Sequence, residues 1–332
     1  MKVWRITTPG GPEVLELAER PVPEPGHGEV LVRVAAAGVN RADLLQCLGH
    51  YPPPPGVIED VPGLEYAGVV ERCGPGCTLR QSGARVMGIT GGGAYGEYVV
   101  VHERETLTVP QRLGPTEAAA VPEAFLTAWR ALFLVGELRP GDTAVIRPAT
   151  SGVGMAAVQL AHAFGARCVG TSRSAERLRA VGELGMDAGH VPEDGALAEC
   201  VGRQSDGAGA AVILDLLGGG HLAESLQSLR DEGRLVLVGL MAGAKDEIPL
   251  GTLLMRRLQV RAMTMRSLPL ERRIGCARRF ESEVLPLLAD GRLKPVVDRT
   301  FPFAETPRAL NLMTSAGHLG KLILVHGDGA NW

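Results

Sequence analysis

The chain has 332 residues, of which 45% are hydrophobic and 21% charged, with a formal net charge of −3. That length exceeds one comfortable core and predicts two domains, while the near-neutral charge excludes the basic footprint of a nucleic-acid or acidic-membrane binder. The opening stretch MKVWRITTPGGPEVLEL lacks the apolar core of a signal peptide, and no apolar run reads as long enough to span a bilayer, so a cytoplasmic address is expected. Cys47, Cys73, Cys77, Cys168, Cys200 and Cys276 follow no paired spacing and are expected to be reduced. Cys73-Gly74-Pro75-Gly76-Cys77 reads as a turn, since no second cysteine pair completes a tetrahedral set, and no metal is predicted there.

Residues 1–120 are rich in Pro and Gly and carry short alternating runs at Val30–Val34, Tyr66–Val70 and Glu97–Val101, the texture of a small β-rich domain. Pro52-Pro53-Pro54-Pro55 within it reads as a stiffened loop. From Thr116 the pattern changes, and residues 121–265 alternate helices with apolar strands at Ala144–Ile146, Arg167–Thr171, Ala211–Asp215, Leu235–Val238 and Leu258–Met263. Continuous apolar runs suit parallel strands covered on both faces, so this part is predicted to be a doubly wound α/β domain. Residues 266–332 predict helical material over Arg272–Leu288, a short extended run at Val296–Arg299 and a last strand at Lys321–Val325. Their texture returns to that of the first part, which predicts a discontinuous β-rich domain with the α/β domain inserted in it.

The stretch Thr143–Arg177 is the most informative. A strand runs into Ser151-Gly152-Val153-Gly154, and a helix follows with Val153, Ala156, Ala157, Leu160, Ala161 and Phe164 on one face. Glycines at that turn let backbone approach a pyrophosphate at the helix's positive end. The next strand ends in Ser172-Arg173-Ser174, where an NAD site carries an acidic residue for the ribose hydroxyls. Hydroxyls and a guanidinium there, with Arg177 one turn on, remove repulsion toward a 2′-phosphate and supply donors for it, so NADPH is the expected cofactor. Ser174 is also the expected cap of a helix starting at Ala175, and the two roles are compatible.

Several segments together resemble the zinc-independent quinone oxidoreductases of the medium-chain dehydrogenase/reductase superfamily, within it most of all the p53-inducible kind. They are Gly38-Val39-Asn40-Arg41-Ala42-Asp43, Gly49-His50-Tyr51-Pro52-Pro53-Pro54, Gly63-Leu64-Glu65, the run Ala119–Ala128, Ser151-Gly152-Val153-Gly154, Gly239-Leu240-Met241 and Gly320-Lys321. The resemblance implies a GroES-like β-rich domain with a Rossmann domain inserted, an active-site cleft between them, and a homodimer formed through the strand near Val260-Arg261-Ala262-Met263. Similar zinc alcohol dehydrogenases carry a cysteine ligand where Asn40 stands and a histidine where Leu64 stands. An amide and an isobutyl group cannot replace them, and the structural zinc lobe expected after Gly88 is missing, so no metal is expected.

The implied activity is hydride transfer from NADPH to a quinone or an activated alkene such as an enone. Asn40 and Thr127 are implied to lie beside the nicotinamide, against the plain reading of a loop-fixing Asn and a helix-start Thr. Tyr51 is the candidate substrate-side donor, or else an aromatic packed under its own loop. Ser151 contacts the cofactor or only shapes its turn. Leu217, Gly218, Gly239, Leu240, Met241, Met263, Thr264 and Met265 are implied to line the cofactor at strand ends, where apolar residues are expected in any case. Pro148 and Pro192 depart from the family pattern. The proton is left to water or Tyr51, because Asp43 and Glu65 are poor donors at neutral pH unless burial raises them. Two other readings stand beside this one: a trans-acting or tailoring enoyl reductase of a natural-product pathway, and a non-catalytic NADPH-binding structural or sensor protein.

Overall fold

The computed structural model describes residues 1–315, 317–327 and 332. They form two compact units, one built from Met1–Leu126 with Met265–Trp332 and the other from Thr127–Thr264.

In the first unit, β1 (Lys2–Ile6) and β2 (Leu15–Glu19) make an antiparallel ribbon. A seven-stranded sheet holds β3 (Glu29–Val39), β4 (Glu65–Cys73), β5 (Arg85–Ile89), β6 (Tyr98–His102), β7 (Leu107–Thr108), β14 (Val297–Pro302) and β15 (Lys321–Val325). The long strand β3 organises it. β4 runs along one edge, while the other edge is shared, with β6 beside Glu29–Arg33 and β15 beside Ala36–Val39. Val30, Val32, Val34, Tyr66, Val70, Val86, Val99, Leu322 and Leu324 interlock in its core. β-Branched side chains fit such a pleated, covered surface, each contributing about 1.5–3 kcal/mol when fully buried. Gly38 on β3 meets a specific demand: a Cβ there would lie 2.1 Å from Glu65 Oε1, so only hydrogen leaves space for that carboxylate.

The second unit is a six-stranded parallel sheet in the order β10-β9-β8-β11-β12-β13. Its strands are β8 (Thr143–Arg147), β9 (Arg167–Thr171), β10 (Ala188–His190), β11 (Ala210–Asp215), β12 (Leu229–Leu237) and β13 (Gln259–Ala262). The order reverses between β8 and β11, so the switch point lies where their carboxyl ends part, the usual ligand position in such sheets. Every residue of β8 and β11 is buried, as their continuous apolar runs predicted. The helix Gly152–Ala163 follows β8 with Ser151 as its cap, and a Cβ on Gly154 would lie 2.2 Å from the Pro148 carbonyl oxygen. The glycine therefore sets how closely helix and turn approach.

The structure refines three expectations. The helical material predicted over Arg272–Leu288 divides into two helices, Leu270–Glu283 and Leu285–Ala289, because Pro286 cannot continue the first one's hydrogen-bond ladder. The strand expected at Leu235–Val238 is only the end of β12. A helical run of membrane-spanning length also exists: Pro115–Val135 has 21 residues, and its most apolar stretch has a mean hydropathy of 1.4, but 72% of that stretch is buried inside the protein, as in a core helix.

Candidate active site

In the second unit, the turn after β8 is built from local hydrogen bonds. Ala149 N–H donates to the Thr171 carbonyl at 2.9 Å, tying the turn to the end of β9. Ser151 Oγ accepts from Gly154 N–H at 2.9 Å and donates to the Pro148 carbonyl at 3.1 Å, so its hydroxyl is committed to the turn. Pro148 lacks an N–H and serves there as an acceptor. Of the helix's first amides, those of Gly152 and Val153 have no partner among the described residues. Two free donors at the positive end of a helix could hold an anion. Ser172 Oγ accepts from Ser174 N–H at 3.2 Å, and Ser174 Oγ caps the helix Ala175–Gly182 by accepting from Arg177 N–H at 3.3 Å. Arg173 is exposed and pairs with no described residue. Pro192 is exposed, opening a short 3₁₀ turn.

Adjacent strand ends bring further predicted residues together. Asp215, fully buried at the end of β11, accepts from the amides of Leu217 at 2.6 Å and Gly218 at 2.9 Å. Met241 N–H donates to the Leu216 carbonyl at 3.0 Å and Gly218 bridges to Gly243, which places the turn after Gly239 beside Leu217. Leu240 and Met241 stay 57% and 41% exposed, an uncovered apolar surface at the strand ends. Met263 N–H donates to the Leu237 carbonyl at 3.0 Å and the Thr264 carbonyl accepts from Arg130 at 3.4 Å. Thr127 is buried, and its Oγ1 has no hydrogen-bond partner among the described residues. A buried hydroxyl left unmade is costly unless a ligand completes it. Free amides, a free guanidinium, an uncovered apolar turn and an orphaned hydroxyl fit a dinucleotide.

The first unit holds a buried polar cluster around Asn40. Asn40 heads the helix Arg41–Cys47, and its N–H donates to Asp43 Oδ2 at 2.8 Å. Its Nδ2 donates to Glu65 Oε1 at 2.9 Å and to the Gly38 carbonyl at 3.3 Å, while its Oδ1 accepts from Lys321 Nζ at 2.6 Å. The Asn40 amide is thus tied at both ends. Lys321 also donates to Glu65 Oε1 at 2.5 Å and to the Val39 carbonyl at 3.1 Å. Glu65 Oε2 accepts from Glu123 N–H at 2.8 Å. Asp43 accepts from Tyr95 Oη at 2.9 Å and Gly63 N–H at 3.2 Å, yet burial outweighs these bonds and pushes its carboxyl up to about 6.

Tyr51 lies beside this cluster, half-buried, with its hydroxyl free of described partners. Burial pushes the phenol above its usual range, and the Glu123 carboxyl adds to that effect. The Arg266 guanidinium stands 5.0 Å from the Tyr51 ring centroid and donates to the Tyr51 carbonyl at 2.9 Å, the Gly91 carbonyl at 2.7 Å and Gln46 Oε1 at 2.6 Å. Met265 is buried next to it in sequence. Sequence reading missed Arg266, Lys321 and Glu123. Arg266 directly follows the Met263-Thr264-Met265 segment, and Glu123 lies inside the quoted Ala119–Ala128 run, so position was the available signal; burial was not.

Two family models match the chain: alcohol dehydrogenase GroES-like domain over residues 26–111 and zinc-binding dehydrogenase over residues 152–284. Among curated relatives, the phthioceranic/hydroxyphthioceranic acid synthase of Mycobacterium tuberculosis is 34% identical over 96% of this chain, which spans 15% of that protein's length. The human synaptic vesicle membrane protein VAT-1 homolog is 31% identical over 97% of this chain and 86% of its own. Among solved structures, a quinone oxidoreductase of Pseudomonas syringae pv. Tomato DC3000 is similar at a TM-score of 0.88 with 29% identity, covering 98% of this chain and 99% of that one. Mycobacterial Rv1454c complexed with NADPH is similar at 0.88 with 27% identity, covering 98% and 100%. CurK enoyl reductase is similar at 0.87 with 25% identity, covering 98% and 99%.

Proposed function

This chain belongs to the medium-chain dehydrogenase/reductase superfamily, as one of its oxidoreductases, and from that premise we propose that it is an NADPH-dependent, zinc-free reductase of quinones or activated alkenes. The observation that carries the reading is the pairing of two free first-turn amides, at Gly152 and Val153, with the unpaired Arg173. The amides take the pyrophosphate, and Arg173 with the Ser172 and Ser174 hydroxyls takes the 2′-phosphate. Leu240 and Met241 offer apolar cover, and Thr127 Oγ1 offers its hydrogen bond to the nicotinamide end. When bound, the reduced nicotinamide supplies hydride. At the position where zinc relatives place a cysteine, Asn40 is tied to Glu65 and Lys321, so an ammonium already neutralises that carboxylate. With no thiolate or imidazole there, the acceptor must already be electrophilic. Tyr51 offers its hydroxyl to the acceptor oxygen.

The test is to follow NADPH absorbance, with NADH in parallel, against quinones, short enones, 2-alkenals and an enoyl thioester. Tight NADPH binding without turnover of any acceptor would leave the non-catalytic reading standing. A preference for the thioester would support the enoyl-reductase reading, which similarity to the mycobacterial synthase and to CurK enoyl reductase favours. Arg173→Asp is expected to weaken NADPH binding about 10- to 100-fold, the worth of one charge-assisted contact plus the new repulsion, with NADH little changed. Equal losses for both cofactors in a titration would overturn the 2′-phosphate assignment.

A homodimer is part of the same proposal. β13 is an edge strand of the parallel sheet, and Leu250, Leu254 and Met255 just before it are 71%, 77% and 74% exposed. A short open strand edge next to a helix with exposed apolar side chains is a pairing surface. Leu254→Glu is expected to convert the dimer to monomer in sedimentation velocity, and an unchanged sedimentation coefficient would place the interface elsewhere.

A further inference from the structure

We propose that Glu123 is the general acid of the reduction, holding at its carboxyl the proton that completes the reduced acceptor; the inference rests on the reductase reading above. Glu123 is half-buried in the first turn of the helix Pro122–Trp129, and its Oε2 is buried with no hydrogen-bond partner among the described residues. A carboxylate in that position would need donors. The cations that face it point donors elsewhere: Lys321 of β15 gives all three of its N–H groups to Glu65, Asn40 and the Val39 carbonyl, and Arg266 gives hydrogen bonds to Gln46, Tyr51 and Gly91 and none to Glu123. Its own backbone N–H is given to Glu65 Oε2. The other charged or titratable groups facing it are carboxyls, Glu65 of β4 and Asp43 of the helix Arg41–Cys47, together with the Tyr51 phenol. Glu65 is paired, so a second anion at Glu123 would add a buried charge that no described donor hydrogen-bonds.

Burial first, and Glu65 next, push the Glu123 carboxyl up to about 8, against the smaller opposing pull of Lys321 and Arg266. The helix's positive end also favours the anion and is likewise outweighed. A neutral acid at pH 7 follows. Asp43, pushed only to about 6, is ionised at that pH, and its oxygens already accept three hydrogen bonds. The phenol of Tyr51 is weaker still as an acid. Glu123 is therefore the acid in the cluster matched to neutral pH.

Hydride from the reduced nicotinamide adds to the enone β-carbon or to the quinone, leaving an enolate or quinolate oxygen. The Glu123 O–H bond breaks as an O–H bond forms on that oxygen. The carboxylate left behind takes one proton from solvent before the next turnover.

Two measurements on the full chain decide it. In a carbon-13 NMR pH titration of the cofactor-free protein, one glutamate carboxyl should stay protonated through pH 7, titrate near 8, and vanish in Glu123→Gln. Ordinary titration of every glutamate overturns the proposal. In turnover assays Glu123→Gln should lose about 100-fold or more, the usual share of a general acid, with NADPH binding unchanged. Wild-type turnover should fall above pH 8 and the variant's should not. Full activity in the variant overturns the proposal and leaves the reductase reading intact, whereas a wild type inactive on every acceptor overturns the reading itself. Should Glu123→Gln fail to fold, a wild-type profile without the falling limb overturns the proposal alone.

Discussion

Lys321→Met is expected to lower the unfolding free energy by about 3–5 kcal/mol, the cost of leaving a buried charge without its partner. Glu65 is fully buried and Lys321 6% exposed, so water cannot replace the lost ammonium. The same change releases the Asn40 carbonyl oxygen and the Val39 carbonyl. Against a total stability of roughly 5–15 kcal/mol this is a large fraction. The pair's net worth is a different quantity. Adding Glu65→Gln to Lys321→Met removes the uncompensated charge and should return about half the loss or more, since a buried ion pair often contributes little beyond what its desolvation costs. Urea midpoints for wild type, both singles and the double variant measure it. A single-variant loss under about 1 kcal/mol would show that the pocket admits water.

Stability should also fall as pH rises from about 4.5 to 8, opposite to the common trend of acid-sensitive proteins. Asp43 is pushed from 3.8 to about 6 and Glu123 from 4.5 to about 8, both chiefly by burial. Between each pair of values the folded chain keeps a proton that the unfolded chain has released, so raising pH favours unfolding there. Below the lower value both states are protonated, and above the upper one the penalty is complete. Glu103 and Glu281, held below their usual range by backbone hydrogen bonds, act in the ordinary direction and only at lower pH. A tenfold difference in proton affinity between the folded and unfolded chain corresponds to about 1.4 kcal/mol, and relaxation of the pocket reduces that, so a loss on the order of 2–4 kcal/mol from about pH 5 to 8.5 is expected. Glu123→Gln should remove the part above about pH 6. Flat urea midpoints across the window would mean that neither carboxyl is held neutral by the fold.

What the sequence made legible was local. The limits of β9 and β15, the Ser174 cap and the small-residue turn into the helix Gly152–Ala163 all follow from neighbours within a few positions. Pro286 is local in the same sense, since it divides the C-terminal helical material where its missing N–H falls. The polar cluster was not legible in the same way, because Asn40 and Lys321 stand 281 positions apart and Gln46 and Arg266 stand 220 apart. Asp43 and Glu65 were set aside for want of burial, the property that decides their chemistry. Ser151 shows the reverse case, since a residue quoted for its place in a motif has its hydroxyl committed to its own turn.

The shared edge of β3 has a consequence for how the chain is made. Half of that edge is filled early by β6, but the half beside Ala36–Val39 waits for β15, which is synthesised after the whole second unit. The second unit is one uninterrupted stretch and needs nothing downstream to close its sheet. Until residue 321 arrives, the nascent first unit carries Glu65 without its ammonium and β3 with open backbone groups. The buried polar cluster around Asn40 is thus assembled last, by the same side chain that neutralises it.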